Sequence, residues 1–276
     1  MIELIDNDND NDVKKKGAVI MFQPAKRITG ELTDCWSMFT PLANSTPGCV
    51  NLGQGFPSSP PPAYLLQMPP ITAHQYSPPS GIPDLKKELN RYYTKWNISG
   101  DVCVTAGANE AIYATLAAYI DPLDEVILFE PFFDQYLPNI TFQGGIVKSV
   151  ALSPPQWTIP FDALLKTITT KTKMIILNSP HNPSGKVFSK EELTTLSKIV
   201  KENNILVISD EVYCELTYDM DHVPFATLPD MENYTITVGS AGKMFSATGF
   251  RIGWAIGKPE LIHNVLYTNI GFISSY

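Results

Sequence analysis

Charge, cysteine and long apolar stretches are all scarce in this sequence of 276 residues. Only 17% of the residues are charged, and 20 Lys and Arg stand against 28 Asp and Glu, for a net charge of −8. That balance disfavours a broad surface for nucleic-acid phosphates or anionic lipid, so no nucleic-acid and no membrane partner is expected, while a local basic pocket stays open. The four cysteines, Cys35, Cys49, Cys103 and Cys214, form no CxxC pair, and no export signal is read ahead of them. A disulfide framework and a zinc site are therefore not expected, and no metal ligand is nominated. Near the start the longest apolar run is Ala18 to Phe22, far short of the roughly 20 residues a membrane helix needs. What the chain does have is 44% hydrophobic residues and a mean hydropathy of −0.03, values of a globular chain rather than a disordered one. At about 150 residues per domain its length allows one large domain or two smaller ones.

Asp and Asn alternate from Asp6 to Asp12, and Lys14 to Lys16 follow. Such a self-solvating stretch cannot offset its ordering entropy by burial, so residues 1–35 are expected to form a partly disordered tail. Its acid content argues against a mitochondrial transit peptide, which makes the cytoplasm the expected compartment and the mitochondrion the alternative. Eight prolines lie between Pro57 and Pro79, and their missing N–H groups mark an irregular arm within residues 36–99.

Beyond Gly100 short β-branched runs alternate with helical stretches. Strands are expected at Val102–Thr105, Glu125–Phe129, Ile146–Val150, Lys173–Leu177, Ile205–Ser209, Thr235–Gly239 and Ile252–Ile256. Helices are expected over Ala108–Ile120, near Phe132–Phe142 and over Lys190–Asn203. This rhythm predicts an α/β fold, a mostly parallel seven-stranded sheet with helices on both faces, over residues 100–258. Ligand groups are then expected where strands end and helices begin.

Four segments sit at such junctions. Thr105-Ala-Gly-Ala-Asn109 opens a helix whose free amides suit an anion, although an ordinary turn capped by Asn109 is the alternative. Asn178-Ser-Pro-His-Asn-Pro-Ser-Gly185 is a proline-stiffened loop in which Asn182 either donates to a ligand oxygen or bonds its own backbone. In Ser209-Asp-Glu-Val-Tyr213 the apolar run Ile205–Ile208 delivers Asp210 to the sheet edge, to pair with a buried cation or simply to cap a helix. Gly239 to Trp254 is the densest, with Lys243 set among small residues and Arg251 beyond; a solvated surface lysine is the alternative. A phosphate-binding ATPase loop does not fit, because Met244 follows Gly242-Lys243 and Thr237 stands at the first glycine position. Neither does a GxSxG nucleophile elbow, since Val238 occupies its first glycine.

Taken together, these segments resemble the fold-type I pyridoxal-phosphate aminotransferases, and their wording is similar to the kynurenine aminotransferase branch, which includes glutamine transaminase K. The resemblance is carried by Asn51-Leu-Gly-Gln-Gly-Phe-Pro57, His74-Gln-Tyr76-Ser-Pro78, Glu130-Pro-Phe-Phe-Asp-Gln-Tyr136, Asn178 to Phe188 and Ser240 to Gly249. It implies pyridoxal 5'-phosphate as cofactor, with the hard chemistry residing there. It further implies that Lys243 forms the Schiff base and shuttles the proton, and that Asp210 keeps the pyridine nitrogen protonated. By the same resemblance Tyr213 and Asn182 bind the ring hydroxyl oxygen, Phe133 stacks on the ring, and Ala108, Asn109, Ser240 and Arg251 hold the phosphate. Trp36 and Gly55 resemble substrate-pocket positions, and Tyr76 one that reaches into the partner's site of a homodimer. The implied reaction moves an amino group from kynurenine or a related aromatic or glutamine-like L-amino acid to a 2-oxo acid. The family continues into a small C-terminal domain with an arginine for the substrate carboxylate, whereas this sequence runs from Lys243 only to Tyr276. Residues 259–276 are accordingly expected to begin a truncated region, in which a helix starting near Pro259 lacks its packing partners and leaves apolar surface exposed. The absent arginine also motivates a second reading, a catalytically inactive cofactor-binding or dimerising protein.

Overall fold

A computed structural model of the chain describes residues 25, 27, 35–51, 53, 55, 57–67 and 76–272. Apart from residues 25, 27 and 35, the expected tail lies outside the described residues, as does His74. The chain divides after Leu32, and every element below belongs to the unit Thr33–Tyr276.

Seven strands form one sheet: β1 (Asp101–Thr105), β2 (Glu125–Glu130), β3 (Ile146–Ala151), β4 (Thr172–Asn178), β5 (Leu206–Asp210), β6 (Thr235–Ser240) and β7 (Gly253–Gly257), in the order β1-β7-β6-β5-β4-β2-β3. Pairings among β2 to β6 are parallel, and β7 runs antiparallel to both β1 and β6. The expected sheet is thus present, each strand starting and ending within one residue of its expected limits. Alternation within the strands explains why both faces are covered. Val126 and Leu128 of β2 and Met174 and Ile176 of β4 point into one core, while Ile127, Phe129, Ile175 and Leu177 point into the other.

The first core is closed by α4 (Ala108–Tyr119), α5 (Tyr136–Phe142) and α9 (Pro259–Phe272); the second by α6 (Phe161–Thr167) and α7 (Lys190–Asn203). Helix α7 starts where expected because Ser189 and Glu192 form a reciprocal capping box: Ser189 Oγ accepts from the Glu192 amide and Glu192 Oε2 from the Ser189 amide. Earlier in the chain come α1 (Cys35–Ser45), α2 (Ala63–Leu66) and α3 (Pro83–Tyr93), so the proline-rich arm carries one helical turn. On α3, Leu89 and Tyr93 pack beneath β1 and β7, where Trp254 Nε1 donates to Tyr93 Oη at 2.9 Å.

Two expectations need correction. Helix α5 starts at Tyr136 rather than near Phe132, because Pro131 to Gln135 form the loop that delivers Phe133 and Tyr136 to the sheet edge. Helix α9 keeps its packing partners within this unit. Its Ile262 and Val265 are buried against α4 and β1, Tyr119 Oη donates to the Leu261 carbonyl at 2.8 Å, and the buried Asn269 meets Cys103 Sγ. Apolar surface is exposed on it all the same, at Tyr267 and Ile270. Among the described residues no helix is long and apolar enough to cross a membrane.

Candidate active site

Parallel pairing aligns the carboxyl ends of neighbouring strands. Asn178, the last residue of β4, lies in register with Asp210, the last of β5, and Asp210 with Val238 of β6. Because β7 is antiparallel, its first residue Gly253 stands opposite both Ser240 and Thr105, bringing the start of α4 to the same edge. The expected junctions are therefore gathered along one side of the sheet.

At the centre, Asp210 is buried and accepts from the Tyr136 hydroxyl at 2.5 Å through Oδ2, and from the Val212 amide at 3.3 Å through Oδ1. Burial pushes its carboxyl up to about 6, an effect that the Tyr136 and Val212 hydrogen bonds partly oppose. Asn178 fixes the neighbouring loop, its Nδ2 donating to the Asp210 carbonyl at 3.0 Å and its Oδ1 accepting from the Asn182 amide at 2.7 Å. The Asn182 side chain in turn bonds Tyr213, whose hydroxyl is pushed up to about 12, first by burial and then by the Asp210 charge. Phe133 packs edge-on against Tyr136, with ring centroids 5.5 Å apart.

Lys243 lies on the short helix α8 (Ala241–Met244), whose start is capped by Ser240: the Ser240 hydroxyl accepts from the Gly242 amide at 3.0 Å and donates to the Ile252 carbonyl at 3.3 Å. Lys243 Nζ sits 5.9 Å from the Tyr213 ring centroid and donates to the Gly55 carbonyl. Partial burial, and then the charge of Arg251, hold its pKa below the ordinary lysine value.

The third component is the start of α4. Its N-cap is Gly107, at φ 94° and ψ 164°, and no side chain caps the helix. The Asn109 amide therefore lacks the partner that a Ser or Asp cap would supply, and the Ala108 amide lies one position ahead, before the intrahelical bonds begin. The space is shaped by backbone: a Cβ on Gly107 would lie 2.4 Å from Arg251 Nη2, and one on Gly253 2.3 Å from the Gly107 carbonyl carbon. Arg251 reaches this turn through a 3.3 Å bond from Nη2 to the Ala106 carbonyl, with donors to spare. Glu110 folds back onto the turn, its carboxylate accepting from the Ala106 amide at 2.5 Å.

Of the residues singled out in the sequence, the structure thus brings together Asp210, Tyr213, Asn182, Lys243 and Gly55 in one group, and Ser240, Arg251, Ala108 and Asn109 beside it. Tyr76 stands apart, 86% exposed. Trp36 belongs to α1, and its side chain lies outside the described residues. Four residues had no role in the sequence reading. In the sequence Tyr136 stands out only as part of a motif and Asn178 only as the first residue of the loop to Gly185, and Gly107 and Gly253 carry no signal beyond their glycine identity. A cleft of about 470 Å³ adjoins the group at Asn182 and Tyr213, walled by His181, Leu216, Tyr218 and Met220.

Residues 47–275 match the family model "Aminotransferase class I and II". Kynurenine–oxoglutarate transaminase of Dictyostelium discoideum is 40% identical over 276 aligned positions, covering 90% of this chain and 63% of that protein. Human kynurenine–oxoglutarate transaminase 3 is also 40% identical, with 90% of this chain and 61% of that protein covered. Among solved structures, N-succinyldiaminopimelate aminotransferase from Mycobacterium tuberculosis superposes with a TM-score of 0.86 at 35% identity, over 92% of this chain and 69% of that one. The chain spans about 60% of the length of the curated relatives it matches. With that family model matched over residues 47–275 and relatives 40% identical over 90% of its length, the chain belongs to the class I and II aminotransferases.

Proposed function

We propose that this chain binds pyridoxal 5'-phosphate and serves amino-group transfer between an amino acid and a 2-oxo acid. The carrying observation is that a lysine of lowered pKa, a buried aspartate and an uncapped helix start beside an arginine all open onto one sheet edge. Each fits a different part of that cofactor. Backbone amides next to a guanidinium, in a turn that a Cβ at Gly107 or Gly253 would fill, suit a phosphate dianion. A buried carboxylate suits a pyridinium nitrogen, and an amine that gives up its proton more readily than an ordinary lysine suits an aldehyde.

When bound, the cofactor supplies a carbonyl that takes up amine nitrogen and a conjugated ring that accepts the electron pair left as the amino acid Cα loses its proton. The remaining tasks fall to the chain. Lys243 Nζ, whose proton is held less tightly because of burial and Arg251, would be the nucleophile toward that carbonyl and the base at Cα. Asp210, held by Tyr136 and Val212, keeps a proton on the ring nitrogen. Tyr213 stays protonated at neutral pH and, with Asn182, orients the ring oxygen. Ala108, Asn109 and Arg251 hold the phosphate. The Ser240 hydroxyl joins them only by leaving the Ile252 carbonyl, and its cap on α8 meanwhile places Lys243. Phe133 is the stacking partner of the ring.

Kynurenine or a related aromatic or glutamine-like amino acid is the proposed donor, supported by the names of the two transaminase relatives. A homodimer is part of the same proposal, with the exposed Tyr76 as the side chain directed to a partner and Trp36 and Gly55 at the substrate pocket. The test is spectroscopic. Chain loaded with pyridoxal phosphate is mixed with L-kynurenine and no acceptor. Conversion of the bound cofactor to its amine form supports the reading, and an unchanged spectrum with cofactor still bound contradicts it.

A further inference from the structure

Helix α5 touches the site at two places one turn apart. Its first residue, Tyr136, donates to Asp210; its fourth, Asn139, donates from Nδ2 to Asn109 Oδ1 at 2.8 Å. Residues three apart share a helix face, so a single element braces both ends of the site. Asn139 is 5% exposed and sits on the side of α5 that packs against α4.

The direction of the second bond matters. A carboxamide presents either an acceptor oxygen or a donor NH2, and only the donor suits an anion. Asn109 lies in the first turn of α4, where the neighbouring amides and Arg251 are all donors. With its Oδ1 occupied by Asn139, the group left to the site is Nδ2, from which no described residue accepts a hydrogen bond. The opposite orientation would aim a carbonyl oxygen at the anion, and Asn139 would have to turn its own carboxamide and give up Nδ2 as the donor to follow it.

From this we infer that Asn139 is a positioning residue for phosphate: it orients the Asn109 carboxamide so that its NH2 faces the anion. The inference rests on the proposed pyridoxal phosphate site and adds a residue that does not itself touch the ligand. It makes a directional claim. Asn139→Asp has nearly the same shape but can only accept, so it draws the Asn109 NH2 toward itself and turns the Asn109 oxygen to the phosphate.

The test compares ligands with and without phosphate. Dissociation constants of pyridoxal phosphate and of pyridoxal are measured on the wild-type chain and on N139D, with inorganic phosphate as competitor and apo-protein melting as a folding control. N139D is expected to lose about tenfold or more in pyridoxal phosphate affinity, the scale of a hydrogen bond to a charged group, while pyridoxal affinity stays near wild type and a cooperative melt shows that the chain still folds. In an Asn109→Ala background the same substitution is expected to cost nothing further, because Asn139 acts through Asn109. A wild-type preference for phosphate that persists in N139D overturns the inference and leaves the proposed site standing. A wild-type chain without such a preference overturns both. If N139D does not fold, Asn139→Leu, which removes the donor without adding an acceptor, takes its place; an undiminished phosphate preference there overturns the inference equally.

Discussion

Tyr136 donates a 2.5 Å hydrogen bond to Asp210 Oδ2, and both groups are buried. A carboxylate without such a donor would be more costly to ionise, since burial already pushes Asp210 up to about 6 and the Tyr136 bond works against that rise. The hydroxyl itself is pushed well above its ordinary value by burial and by Asp210, so it stays a donor at neutral pH. Tyr136 therefore keeps Asp210 available as an anion near neutrality.

Replacing Tyr136 by Phe is expected to raise the Asp210 pKa further, by on the order of one unit, given the strength of hydrogen bonds to charged groups. Carboxyl titration followed by carbon NMR checks this. An Asp210 titration unmoved in Y136F would show that the bond has no bearing on its charge.

Asp210 also links stability to pH. Its folded pKa of about 6 stands above the 3.8 of an unperturbed aspartate, so between those values the folded state holds more protons than the unfolded one. The ligand-free fold then loses stability as pH rises through this window, to a total on the order of 3 kcal/mol at neutrality. Asp210→Asn is expected to raise the melting temperature of the cofactor-free chain at pH 7 and to have little effect near pH 4. An equal effect at both pH values would remove the titration argument.

Arg251 lowers the Lys243 pKa and also stands beside the helix start, and the two roles separate by choice of ligand. For Arg251→Gln the pH midpoint of covalent capture of pyridoxal, which has no phosphate, is expected to move upward. Capture of pyridoxal phosphate should in addition weaken at every pH. A pyridoxal midpoint unchanged in the variant would sever Arg251 from the lysine.

Gly253→Ala would set a Cβ 2.3 Å from the Gly107 carbonyl carbon and 2.4 Å from the Ala108 amide nitrogen. Overpacking against backbone costs about 1–3 kcal/mol, and here the displacement falls on the phosphate turn. Weaker pyridoxal phosphate binding and a lower melting point are expected, whereas Gly249→Ala, with open space around it, should match wild type in stability. Equal behaviour of the two variants would deny that the turn is shaped by close approach.

Much of this arrangement is legible in the sequence because strands covered on both faces leave continuous apolar runs. Ile205 to Ile208 read as such a run, and the run's end fixes where Asp210 stands. Lys243, Asn182 and Tyr213 follow from the same reasoning at neighbouring strand ends. Contacts between distant segments are not legible. Nothing local says that Tyr136 meets Asp210, 74 positions away, or that the stripe of α9 finds α4, because such pairs are created by the sheet order. The Gly107 and Gly253 positions are likewise explained only once β1 and β7 lie side by side.

The most direct test of the account is to load the chain with pyridoxal phosphate, reduce it with borohydride and map the modified peptide by mass spectrometry. The cofactor mass fixed on Lys243 is the predicted result. A protein that stays colourless, or that carries the label on another lysine, would contradict the assignment of this sheet edge as the cofactor site.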